Sequence, residues 1–176
     1  MKLYCLRHGR TNYNDLGLCN GDPSKPVYLT AEGVKQAEQA AEALRDKPLE
    51  RIFVSQLPRT QQTAEIVNRY HQAPLDVIPA LNDIRSGCEG RSVADYQSAI
   101  AHDPLHAKVG DGESLFEYKQ RVMGFLASLE ERSESEVALV AHEETLRVIY
   151  GWMKGLDDHS LPKLRFENCE ILECQS

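Results

Sequence analysis

Along this chain, short apolar runs alternate with stretches in which apolar residues recur every three or four positions. The runs at residues 3–6 (LYCL), 52–54 (IFV), 75–78 (LDVI) and 137–141 (VALVA) are too short for helices and read as strands, with a late candidate at 164–174. Between them the period changes. Val34, Ala37, Ala41 and Leu44 repeat at helical spacing after Thr30, a good N-cap, and Thr60, Ala64 and Val67 do so after Pro58, which suits a first helical turn. Val93, Tyr96 and Ile100 follow Ser92. Leu115, Tyr118, Val122, Phe125 and Leu129 follow Ser114, which forms a capping-box pattern with Glu117. Leu146, Ile149, Tyr150 and Met153 complete the helical set. Strands that alternate with helices predict an α/β fold with a largely parallel sheet covered on both faces.

No repeat, low-complexity tract or linker interrupts the pattern, and 176 residues suit one domain over 1–176. The 41% hydrophobic and 27% charged residues are ordinary for a globular protein. A net charge of -7 argues against a nucleic-acid partner, which would leave a basic footprint, so any anion must meet a local positive pocket. No apolar run approaches membrane-spanning length and no charged-then-apolar leader opens the chain; a cytoplasmic protein without a membrane partner is expected. Cys5, Cys19, Cys88, Cys169 and Cys174 are an odd number without a CxxC pair and read as reduced thiols.

Ligands of parallel sheets collect at the carboxyl ends of the strands, so the residues just beyond each strand carry the information. After the first comes Arg7-His8-Gly9-Arg10, after the second Ser55-Gln56-Leu57-Pro58-Arg59, and after the fourth His142-Glu143-Glu144. Arg7, Arg59, His8 and His142 thus arrive at one edge from three strands. A zinc site would want three or four His, Cys or carboxylate ligands, and guanidinium repels cations, so no metal and no cofactor are expected. The set suits a phosphoryl group: guanidiniums neutralise its non-bridging oxygens, and a neutral imidazole can act as nucleophile. Gly9 reads as a point of close backbone approach to the ligand. A leaving alkoxide needs a proton, and the loop after the third strand (PALNDIRSGCEG) offers Asp83 and Glu89.

These residues carry a resemblance. LRHGRTNYN (6–14), YLTAEGVKQA (28–37), SQLPRTQQTAEIV (55–67), GESLFEYKQRV (112–122) and VALVAHEETLR (137–147) resemble, in order and spacing, the motifs of the histidine phosphatase superfamily, also called phosphoglycerate-mutase-like. Together they span nearly the whole chain. The resemblance implies a three-layer α/β/α sandwich with a mostly parallel central sheet. It implies that His8 attacks phosphorus, that Arg7, Arg59 and His142 bind the phosphoryl oxygens with Asn14 completing the pocket, and that Asp83 protonates the leaving oxygen, with Glu89 in reserve but matching the family's Glu-Gly pair (Glu89-Gly90), which implies a structural role. The sequence departs from the family at two positions. Asp83 stands where Glu is usual, and Glu143-Glu144 follow His142 where Gly is usual, so an inward carboxylate at Glu143 would repel phosphate or favour a cationic substrate group.

The segment 92–112 is short, whereas mutases of this family carry longer insertions that shield phosphohistidine from water. The expected activity is therefore metal-independent hydrolysis of a small phosphorylated metabolite, with phosphoglycerate-mutase-type transfer and a phospholigand-binding pseudoenzyme as the competing readings. Specificity is expected from the loops around 20–28 and 103–111. His102 and His106 have metal-like spacing, but Pro104 between them disfavours a helix and they read as surface residues; His71 and His159 need no function. Glu113 reads as a helix-start residue, and Arg45, Lys47 and Arg51 as a solvated cluster.

Overall fold

The apolar runs at 3–6, 52–54 and 137–141 become strands because each is buried on both sides, while that at 75–78 forms a short, largely exposed edge strand. In the computed structural model, which describes residues 1–175, β1 (Lys2–Arg7), β2 (Arg51–Val54), β3 (Leu75–Val77) and β4 (Glu136–Ala141) pair in parallel in the order β3-β2-β4-β1, and β5 (Ile171–Gln175) runs antiparallel along β1. Side chains alternate across a strand. Leu3, Cys5, Phe53, Val137 and Leu139 therefore enter one core, while Tyr4, Leu6, Ile52, Val54, Ala138 and Val140 enter the other. The helices α5 (Leu115–Ser128) and α6 (Glu143–Lys154) close the first core with Tyr118, Val122, Val148 and Ile149. The second is closed by Ala40 and Leu44 of α2 (Ala31–Leu44) and by Ala64 and Val67 of α3 (Pro58–Val67). The result is the three-layer α/β/α sandwich.

Local signals set the helix starts. The Thr30 hydroxyl accepts from the Gly33 N–H, and Ser114 with Glu117 forms a full capping box. Thr11 and Asn14 form a second box on α1 (Asn12–Leu16), a short helix that the apolar pattern does not announce. Gly9 is explained by packing. A Cβ there would stand 2.5 Å from the Gly33 carbonyl oxygen, and one on Gly33 would stand 2.1 Å from the Arg10 carbonyl oxygen. The two glycines let the start of α2 lie against the backbone that follows β1, a close approach of backbone to backbone.

Two elements depart from the pattern. The late strand is confined to Ile171–Gln175; residues 158–163 form 3-10 turns around Pro162, and 164–170 cross the carboxyl edge of the sheet before β5 begins. This crossing is tied to β1, with Cys169 N–H donating to the Arg7 carbonyl at 3.0 Å and Asn168 Nδ2 to that of His8 at 3.0 Å. The second departure is α4 (Val93–Ile100), which has the apolar face expected of a core helix but no fully buried residue. Arg51, on β2, is bridged to Asp76 at 3.1 Å and to Glu134 at 2.5 Å and so is not merely solvated. Among the described residues, no helix is long and apolar enough to cross a membrane.

Candidate active site

Three neighbouring strands end in step. Arg7 of β1 pairs with Ala141 of β4, and Val140 of β4 with Val54 of β2, so His8, His142 and Ser55 come out of the sheet side by side. The two imidazoles sit edge to face with centroids 5.4 Å apart, and Ser55 Oγ lies 3.0 Å from His142 Nε2. The first turn of α3 brings in Arg59, which is 4% exposed. Its Nε donates to His8 Nε2 at 3.1 Å, and its Nη2 donates to Asp83 Oδ2 at 2.8 Å. Asp83 Oδ2 lies 3.5 Å from His142 Nδ1, while Oδ1 accepts from the Ile84 N–H at 2.8 Å. The structure thus brings His8, Arg59, His142 and Asp83 into one cluster.

The tautomer of His8 is set by its contacts. Nδ1 lies 2.7 Å from the Gly9 carbonyl, which can only accept, so Nδ1 carries the hydrogen and Nε2 the lone pair. Burial, followed by the charge of Arg59 and the proximity of His142 and Arg7, holds this imidazole well below the ordinary histidine range. His142 is pushed down likewise, first by burial and then by Arg59, Arg121 and Arg7. Both rings are neutral near pH 7, and His8 offers Nε2 as a nucleophilic atom.

The remaining charges are balanced in pairs. Arg7 Nη1 donates to the Phe166 carbonyl at 2.6 Å and lies 3.4 Å from Glu143 Oε2. Glu143 in turn accepts from Arg147 at 2.8 Å, and Arg147 lies 3.5 Å from Glu144. Glu143 is therefore a counter-ion between two arginines on the cavity wall. Among the described residues, Arg7 Nε and Arg147 Nε are buried donors without a hydrogen-bond partner. Asn14 also lines the cavity, with its side chain engaged in the α1 capping box and 3.4 Å from Asn168.

Several supports are set by tertiary contacts. Asn20 accepts from Arg59 Nη1 at 2.5 Å through its side chain and from Nη2 at 2.8 Å through its carbonyl, and it donates to Glu89 at 2.6 Å. Glu89 also accepts from the Gly21 N–H at 2.8 Å. It is thus engaged as the brace of the residue that orients Arg59. Glu113, 4% exposed, does more than start α5: it pairs with Arg121, whose guanidinium donates to the carbonyls of Ala80, Asn82 and Asp83. That clamp sets the loop carrying Asp83. Both residues lie in the GESLFEYKQRV motif, but their spacing of eight is one that no local rule interprets as a pair.

Arg7, His8, Asn14, Asn20, Arg59 and Asp83 line one cavity of about 780 Å³, with His142 buried behind them against Asp83 and Ser55. His8, Arg59 and Asp83 form its floor, and Glu143, Glu144 and Arg147 one wall. The lining also includes Val93, Tyr96 and Ile100 of α4, with Leu105 and Leu115. The apolar face of α4 is thus spent on the cavity instead of the core. Val27 and Pro104 come from the two loops expected to set specificity, and His159 also reaches the wall.

A parallel sheet that gathers two neutral imidazoles, two guanidiniums and a carboxyl at one edge defines an enzyme of phosphoryl groups. The family model of the histidine phosphatase superfamily (branch 1) matches residues 3–175, and the chain belongs to that superfamily, whose members include phosphatases of phosphate esters. It is 31% identical over 176 residues to the adenosylcobalamin/alpha-ribazole phosphatase of Escherichia coli (strain K12), covering 95% of this chain and 86% of that protein. It is 30% identical over 180 residues to the probable phosphoglycerate mutase GpmB of Proteus mirabilis (strain HI4320), covering 97% and 83%. The crystal structure of the alpha-ribazole phosphatase from Shigella flexneri superposes with a TM-score of 0.88 at 31% identity, over 98% of this chain and 89% of that one.

Proposed function

We propose that this protein hydrolyses the phosphomonoester of a small metabolite through a phosphohistidine on His8. The observation that carries the reading is the His8 Nε2 lone pair, held neutral by burial and facing the Arg59 guanidinium on the cavity floor. In the first step the Nε2–P bond forms while the P–O ester bond breaks, and the leaving oxygen takes a proton from Asp83. Arg7, Arg59 and His142 hold the non-bridging oxygens, where negative charge is concentrated. In the second step Asp83 takes a proton from water, whose oxygen attacks phosphorus as the N–P bond breaks. The residues need no metal ion for charge neutralisation, since two guanidiniums supply it.

The apolar α4 wall and the cavity volume support an ester with a bulky, partly apolar alcohol, as the names of the alpha-ribazole phosphatase relatives suggest. The similarity to a probable phosphoglycerate mutase favours phosphoryl transfer between hydroxyls as the second reading. Five free thiols fit a reducing, cytoplasmic setting. The deciding experiment measures phosphate release from p-nitrophenyl phosphate in EDTA for wild type and His8→Ala. Release that survives EDTA and disappears with His8 is expected; release that needs a metal or survives His8→Ala would overturn the mechanism.

A further inference from the structure

A buried run of hydroxyls backs His142. Its Nε2 lies 3.0 Å from Ser55 Oγ, which lies 2.6 Å from Thr60 Oγ1, which lies 2.8 Å from the Leu57 carbonyl oxygen. All four residues are buried. A carbonyl can only accept, so the Thr60 hydrogen goes to Leu57. Ser55 then supplies the hydrogen between the two hydroxyls, and His142 supplies the one between Nε2 and Ser55. The reverse polarity would leave the Thr60 and Leu57 oxygens 2.8 Å apart with no hydrogen between them. Ser55 Oγ also accepts from the Leu57 N–H at 3.3 Å. His142 therefore carries its hydrogen on Nε2, and Nδ1 holds the lone pair. That lone pair faces the cluster, 3.4 Å from Arg59 Nη2, which donates toward it, and 3.5 Å from Asp83 Oδ2.

Both imidazoles thus turn a lone pair toward Arg59. For His8 this is what a nucleophile needs. For His142 it is not what a phosphoryl ligand needs, because the non-bridging oxygens also have only lone pairs to offer. Resting on the reading above of His8 as nucleophile and His142 as phosphoryl ligand, we propose that His142 takes up a proton on Nδ1 when a phosphoryl group binds, and that Ser55 is the positioning residue that makes this uptake necessary. The proton comes from solution. The ring becomes an imidazolium that donates Nε2–H to Ser55 and Nδ1–H to a phosphoryl oxygen. Facing the ring are Arg7 and His8 from the end of β1, Arg59 from α3, Asp83 from the loop after β3 and Arg121 from α5. In the free site, burial and these three arginines keep it neutral. A dianion placed beside Nδ1 reverses that balance. A bound tetrahedral dianion is accordingly held less tightly as pH rises.

The probe is tungstate, a tetrahedral dianion with no proton of its own to exchange near pH 7. Calorimetric titration at pH 7 in two buffers of different ionisation enthalpy counts the protons bound with it. Wild type should take up about one proton per tungstate, and its affinity should fall about tenfold from pH 7 to pH 8. Ser55→Ala frees the neutral ring to move its hydrogen to Nδ1, so uptake should fall toward zero, and Ser55→Thr should restore it. Asp83→Asn should retain the uptake. Nitrogen-15 NMR of the free wild type should show His142 protonated on Nε2 and bare on Nδ1, a readout that stands whether or not Ser55→Ala folds. Tungstate binding to wild type without proton uptake would overturn the proposal. So would uptake that survives in folded Ser55→Ala, uptake lost in Asp83→Asn, or the opposite ring tautomer. Failure of the His8 reading is separate, because it appears as phosphate release by His8→Ala.

Discussion

Lowering the pH from 7.5 to 5.5 should remove up to about 3 kcal/mol of folding stability through His8 and His142 alone. Both rings are almost fully enclosed, at 3% and 1% exposure, and both are held neutral well below the ordinary range, first by burial and then by Arg59. Protonating His8 would set a new N–H against the Arg59 Nε–H that now donates to it. The folded protein therefore excludes protons that the unfolded chain accepts at its ordinary value of about 6.5. Because the folded values are depressed, the stabilisation is complete above about pH 6.5 and is lost as pH falls toward them. Over this interval the unfolded state gains about 1.4 kcal/mol from each imidazole. Urea unfolding at both pH values should show this loss in wild type, about half of it in His8→Gln or His142→Gln, and little in the double variant. Contributions from other groups are common to all four proteins and cancel in the comparison. A double variant as pH-sensitive as wild type would refute the assignment of buried neutral rings.

Two further outcomes rest on the same geometry. Asp83→Asn should lower kcat on an alkyl phosphate about a hundredfold or more, yet p-nitrophenyl phosphate only a few-fold, and equal losses would assign the proton transfer elsewhere. Gly33→Ala places a Cβ 2.1 Å from the Arg10 carbonyl oxygen, so backbone must shift; a cost of about 3 kcal/mol and a clearly lower Tm are expected by thermal denaturation, and an unchanged Tm would contradict the close packing.

How much could be read in advance varied with the range of the interaction. Strand runs and helix starts were legible because they are local: Thr30, Ser92 and Ser114 each bond a backbone N–H three residues on. Arg7, His8, Arg59 and His142 were legible because a parallel sheet delivers the residues beyond its strands to one edge. The late strand was overextended because 164–170 is pulled across that edge by contacts to Arg7 and His8, partners more than 150 residues away. The apolar period of α4 correctly announced a helix, but period alone does not distinguish a core from a cavity wall.

The sequence by itself determined the order of strands and helices, the caps, and which chemical groups stand beyond each strand, since these depend on neighbours a few residues apart. Only the tertiary structure decided the partners. It made Glu89 the brace of Asn20, fixed Asp83 through Arg121 and Glu113, and turned Gly9 toward Gly33. It also placed Glu143 between two arginines and Glu144 in the lining of the same cavity as Asp83. Hydrogen bonds and burial act over a few ångströms of space, and for these residues that distance joins segments far apart in the chain.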